Sequence, residues 1–198
     1  MIRRLLQISR LRADQRGATL MEFAFVVVPL SMVMMGLTDF GYRAYVSSIV
    51  EGTVHRAARL ATVGNKTPTQ IDDFVKNELR HFSPNATITI TKKNYYEFSG
   101  VGKAEKLTTD ANANGTWDSG DCYEDLNNNG SWDVVAGRDG LGSSDDIVFY
   151  QVDFVYPRVI PLNGLLGWSA NDTVTTHTLM RNQPFGIQSI PNTRCTSA

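Results

Sequence analysis

Hydrophobic positions in this chain form one long block near the N-terminus and several short periodic blocks after it. From Phe23 to Leu37 no charged residue occurs in fifteen positions. With residues 18–21 the block reaches about twenty residues, enough to cross ~30 Å of hydrocarbon as a helix. Helical spacing then continues through Tyr42, Tyr45, Val46, Ile49, Thr53, Ala57, Leu60 and Ala61, with Arg43, Ser47, Glu51 and Arg59 on the complementary face. Gly64, Asn65 and Pro68 mark a break. The pattern predicts a single helix of about 45 residues, half suited to lipid and half to packing on a domain. Pro29 removes one backbone hydrogen bond and favours a kink, which membrane helices tolerate. Gly36, Gly41, Ala44, Ser47, Ser48 and Gly52 keep the helix slim at intervals. They permit close approach, either of another helix or of the chain's own sheet.

A second helix is expected over residues 69–82, with Thr67 as N-cap, Pro68 at its first position and an apolar stripe of Ile71, Phe74, Val75 and Leu79. Three stretches then read as strands. Residues 86–91 alternate cleanly, residues 147–156 place Val148, Tyr150, Val152, Phe154 and Tyr156 on one face, and residues 173–180 are rich in threonine and valine. The fold class is α+β: a long N-terminal helix packed on a small antiparallel sheet of three or four strands. Residues 159–168 are apolar enough to touch a membrane or a partner, but a turn covering the core explains them better.

Charge gives the long helix a direction. Arg3, Arg4, Arg10, Arg12 and Arg16 precede the apolar block against one acid, Asp14. That asymmetry places the N-terminus in the cytoplasm and the rest of the chain outside. The chain of 198 residues has a net charge of −1, so it does not read as a nucleic-acid binder. Cys122 and Cys195 both follow the membrane segment, where an oxidising compartment would let them form one disulfide between mid-chain and tail. Glu22 is the anomaly, because a carboxylate within an apolar block costs a few kcal/mol unless partnered.

Gly17-Ala18-Thr19-Leu20-Met21-Glu22-Phe23 resembles the processing site of type IV prepilins, which a membrane peptidase cuts after the glycine. Residues 17–64 together resemble the TadE-like domain of tight-adherence pilus systems, and residues 180–185 resemble that family's ending. Phe23 stands where such prepilins often carry tyrosine. The resemblance implies cleavage between Gly17 and Ala18, a pilin-like fold, and assembly through Glu22 with other pilin subunits. It also implies a single-pass inner-membrane protein that reaches the pilus or cell surface. Cutting there frees an amine on Ala18, and a carboxylate one turn away can neutralise it. The expected organisation is a basic leader over 1–17, a transmembrane segment over 18–38, soluble helices and the first strand over 39–100, an insertion over 101–145, and C-terminal strands and tail over 146–198.

The insertion carries its own chemistry. Asp110, Asn112, Asn114, Asp118 and Asp121 fall at positions 1, 3, 5, 9 and 12 of a twelve-residue loop, with Gly115 at position 6 and the Thr116 carbonyl at position 7. This is the ligand spacing of an EF-hand calcium loop, although its last member is aspartate rather than glutamate; with that ending it resembles the loops of dockerins and other secreted calcium modules. Fifteen residues later Asp125, Asn127, Asn129, Gly130, Ser131 and Asp133 repeat positions 1, 3, 5, 6, 7 and 9, and Trp132 falls where Trp117 did. Position 12 is now Ala136, so this loop needs Asp139, another acid or water to close its shell. Only Cys122, Tyr123 and Glu124 separate the loops, too few for the helices of an EF-hand pair. Oxygen donors without histidine or thiolate favour calcium.

No catalytic arrangement is expected. His55, His81 and His177 share no spacing, and no G-x-S-x-G, P-loop or H-E-x-x-H motif occurs. The sequence reads as a minor pilin or pseudopilin with a calcium-stabilised insertion, its partners a prepilin peptidase, pilus assembly machinery, the membrane and a surface or host ligand. The alternative is an uncleaved, membrane-anchored, calcium-dependent binding protein.

Overall fold

The computed structural model describes residues 16–63, 66–160, 164, 167–182 and 187–196. The leader before Arg16, the helix stop at Gly64 and Asn65, most of the apolar turn, and Gln183, Pro184 and Phe185 of the family-like ending lie outside the described residues.

Helix α1 runs Arg16–Val63 and continues through Pro29. Its second half packs on the rest of the molecule, and its buried face is Val46, Val50, Thr53, Val54 and Ala57. Val50 and Val54 belong to this face although periodicity did not select them. Tyr45 leaves it: the side chain is mostly exposed and meets the edge of Phe82 at 5.8 Å. Helix α2, Pro68–Phe82, has Thr67 as N-cap with a reciprocal bond between Thr67 and Gln70, so the Pro68 start follows from local chemistry. It turns Ile71, Val75 and Leu79 into the core.

The main sheet has four strands, antiparallel throughout, in the order Arg138–Asp139 (β4), Thr87–Tyr95 (β1), Ile147–Pro157 (β5) and Asn171–Arg181 (β6). β5 is central, with Ile90 opposite Val152 on one side and Phe154 opposite Val174 on the other. Val148, Tyr150, Val152, Phe154 and Tyr156 all point into the core, as their alternation predicts. Lys92 reaches Asp72 on α2 at 2.5 Å, and the Tyr150 hydroxyl donates to the same carboxylate at 3.2 Å.

A second sheet, in the order β2-β3-β7, joins Leu107–Thr109, Cys122–Asp125 and Asn192–Cys195. Sequence patterning did not reveal it, because these strands are three or four residues long and hold little apolar alternation. Cys122 and Cys195 face each other across β3 and β7 with Cα atoms 4.0 Å apart, and they form the expected disulfide. The segment between the two loops is thus a strand tied to the tail.

Candidate functional site

Two regions carry the residues singled out by the sequence, and they lie on different parts of the fold. The first is the N-terminal half of α1. Gly17, Ala18 and Glu22 are exposed, and Glu22 sits one turn after Ala18 on the same face. Around them Leu20, Phe23, Phe25, Val26, Leu30 and Met34 are each more than half exposed. The most apolar stretch of this helix has a mean hydropathy of 2.0, and none of it is buried among the described residues. So large an apolar surface without cover suits lipid or neighbouring helices, not water.

A Cβ added at Gly36, Gly41 or Gly52 meets nothing within 4 Å, and Ala44 and Ser48 are exposed. Packing against the chain's own sheet therefore does not account for these five, whereas Ser47 is half-buried.

The second region is the pair of loops, which share the same backbone N–H bonds from position 1 to position 7. Asp110 accepts the Asn114 and Gly115 N–H groups at 3.3 and 2.7 Å, and Asp125 accepts those of Asn129 and Gly130 at 3.0 and 2.9 Å. The Asn112 side-chain oxygen accepts the Asn114 N–H at 3.1 Å, and that of Asn127 accepts the Asn129 N–H at 3.0 Å. Asn114 and Asn129 each accept the N–H at position 7, from Thr116 and Ser131, at 2.7 Å. Positions 4 and 6 take positive φ in both loops: Ala113 at 55° and Asn128 at 56°, Gly115 at 76° and Gly130 at 83°. Glycine at position 6 is what this turn requires. The two indoles at position 8, Trp117 and Trp132, stack at 5.3 Å and 5°, so the loops share one hydrophobic contact.

The closing residues differ. In the first loop Asp121 accepts the N–H groups of Ala111 and Asp118, both at 2.8 Å. In the second, Glu105 accepts those of Leu126 and Asp133, at 2.8 and 3.1 Å. These are positions 2 and 9 in each case, so Glu105 does for the second loop what Asp121 does for the first. Asp139 does not fill this role: it lies on β4 and pairs with Lys93 at 2.8 Å. Glu105 escaped the sequence reading because it comes from upstream of both loops. The Glu105 N–H bonds the Asp133 carbonyl at 3.0 Å and the Ala136 N–H bonds the Lys103 carbonyl at 3.1 Å, which sets its position.

Electrostatics separates the loops further. Asp121 and Asp125 are fully buried and Glu105 is 3% exposed, so these acids need compensation. Burial pushes the Glu105 carboxyl above its ordinary value, against backbone donors from Asp133, Leu126 and Asn127. Asp125 has a cationic partner, since Arg194 on β7 donates Nε to it at 2.5 Å. In both loops amide groups surround the position-9 acid. Asn112 and Asn114 donate Nδ2 to Asp118 at 2.9 and 2.5 Å, and Asn127 and Asn129 donate to Asp133, both at 2.6 Å. The first pair holds the Asp118 carboxyl below its ordinary value.

Among the described residues no group of three or more histidine, cysteine or acidic side chains is gathered as a metal cluster. Half a turn of each asparagine amide exchanges nitrogen for oxygen and gives up the backbone N–H bond that its oxygen accepts. It sets that oxygen beside a carboxylate, an arrangement stable only with a cation between them. The donors are carboxylate, amide and backbone oxygens, and their chemistry fits calcium.

Residues 17–59 match the family model described as TadE-like protein. The match lies wholly within α1. No curated protein and no solved structure matches the chain.

Proposed function

We propose that the chain is a minor pilin or pseudopilin of a tight-adherence pilus, with a calcium-stabilised outer domain. The observation that carries this reading is the TadE-like match over a helix whose apolar half has no cover among the described residues. In the working cycle, a prepilin peptidase cuts between Gly17 and Ala18. The new amine and the Glu22 carboxylate, one turn apart, neutralise each other within a subunit or between neighbours. The apolar half of α1 then inserts among other pilin helices, and the sheet and loops face outward for adhesion or assembly. The proposal assigns no chemical reaction to the chain. Its three histidines sit on separate elements, and His177 is stacked on Phe149.

Calcium belongs to this proposal as a structural ion. Asp110, Asn112, Asn114, Thr116, Asp118 and Asp121 would hold one, and Asp125, Asn127, Asn129, Ser131 and Asp133 with Glu105 a second. The bound ion would supply charge compensation to buried carboxylates and order a segment poor in apolar residues.

The test is the intact mass of the native protein in cell envelopes and in sheared surface material. A chain beginning at Ala18 in the sheared fraction is expected. A mature chain confined to the envelope points to an assembly-platform pseudopilin. A chain retaining the residues before Gly17, found only in membranes, overturns processing and leaves an anchored calcium-dependent binding protein.

A further inference from the structure

Where the apolar half of α1 ends, Asp39, Phe40, Arg43, Arg158, Trp168 and Ser169 line a cavity of about 330 Å³. Its floor is an ion-pair network. Arg158, just past β5, pairs with the buried Asp39 and lies 3.5 Å from the buried Asp172. Its Nε also donates to the Ser169 carbonyl at 3.2 Å. Arg43 meets Asp172 at 3.3 Å, keeps 51% of its side chain exposed and lines the cavity. The walls are aromatic. Trp168 lies over the Arg158 guanidinium at 5.5 Å and meets Phe40 edge-on at 6.4 Å, while Phe40 is largely exposed.

Height along the helix decides what this cavity meets. Residues 18–37 rise by about 30 Å, the thickness of the hydrocarbon core. Asp39 to Arg43 then lie about 3–9 Å beyond it, which overlaps the headgroup layer of about 5–8 Å. Tryptophan is enriched at that level because its ring is amphipathic. Charge narrows the choice of lipid. Two carboxylates and two guanidiniums balance, so the cavity has no excess charge to attract a purely anionic group. It does offer a half-exposed arginine for a phosphate and aromatic faces for an ammonium.

We infer that this cavity is a binding site for the headgroup of a zwitterionic phospholipid, its phosphate on Arg43 and its ammonium against Phe40 and Trp168. The inference rests on the membrane-inserted state of the proposed function. Occupancy fixes the outer domain against the bilayer surface before assembly, and leaving the membrane empties the site.

The experiment reconstitutes the full chain in phosphatidylcholine vesicles carrying a trace of the same lipid with a photoactivatable headgroup. Labelled positions are mapped by mass spectrometry, and a matched phosphatidylglycerol probe serves for comparison. Labelling is expected within residues 39–43 and 167–169, several-fold above the phosphatidylglycerol probe. Arg43→Gln should reduce it to a third or less, with partial recovery in Arg43→Lys, and Phe40→Ala, a change at an exposed side chain, should also lower it. Equal labelling by both probes, labels spread evenly around the helix at that height, or indifference to both substitutions overturns the inference. So does crosslinking between copies of the chain in place of lipid. A chain that floats with the vesicles but is not labelled there overturns the headgroup site alone. A chain that fails to float overturns the membrane reading as well.

Discussion

Asp121 closes the first loop from within, at its twelfth position, whereas Glu105 closes the second from upstream of both loops, using the same two backbone N–H groups. If these carboxylates complete cation shells, their neutral isosteres should separate the two sites. Glu105→Gln is expected to weaken one calcium-binding step at least tenfold, about 1.4 kcal/mol, and to leave the other unchanged. Asp121→Asn should do the reverse, and calorimetric titration of the full chain in detergent reads both. Arg194 adds a further asymmetry, because its guanidinium already compensates Asp125. Arg194→Gln should therefore tighten the second site, and an unchanged or weaker affinity would show that the guanidinium supports the loop. At this scale the sequence was legible wherever spacing was fixed: Asp110, Asn112, Asn114, Asp118 and Asp121 occupy one short loop. Glu105 and Arg194 were not legible, since irregular backbone bonds bring the first from 20 residues before Asp125 and strand pairing brings the second from 69 residues after it, at no characteristic interval.

Elements divide in the same way. The two helices and the three long strands follow from local signals, namely the Thr67–Gln70 capping box, the Pro68 start and the alternation of β5 and β6. The second sheet depends on a disulfide with a sequence separation of 73 and on pairing between short polar strands, which no periodicity records. That dependence is testable. Replacing Cys122 and Cys195 with serine should cost roughly 2–4 kcal/mol of stability in the loop region. It should also release β7, and with it Arg194, so amide exchange in β3 and β7 should rise while β5 stays protected. The main sheet carries a separate pH signature. Burial, reinforced by Asp172, pushes the Tyr156 hydroxyl up to about 12, and burial with Asp72 raises Tyr150 as well. An unfolded tyrosine loses its proton near pH 10, so between pH 10 and 12 the unfolded state holds fewer protons than the folded one. Stability must then fall as pH rises, by up to about 1.4 kcal/mol per pH unit for each such tyrosine. Denaturant titrations of the full chain at pH 8, 10 and 11 should show the fall, and Tyr156→Phe should make it shallower.

Helix α1 carries two kinds of surface along one continuous helix. From Val46 onward it has a buried stripe, and before Asp39 its large apolar side chains are exposed. Gly41, Ala44, Ser48 and Gly52 lie on the outer surface of the half that already has a core. Glycine inside a helix costs about 0.5–1 kcal/mol relative to alanine, and at Gly41 and Gly52 no neighbour among the described residues returns that cost. Gly41→Ala and Gly52→Ala should accordingly stabilise the isolated subunit, by up to about 1 kcal/mol each, as thermal unfolding in detergent would record. If another helix packs closely there in the assembled state, the same substitutions should reduce co-purification with sheared filaments, and leucine at these positions should abolish it. Stability and assembly would then move in opposite directions under one substitution. A subunit that gains stability and still assembles fully would remove this face from the contact, leaving the apolar half before Asp39 to carry assembly.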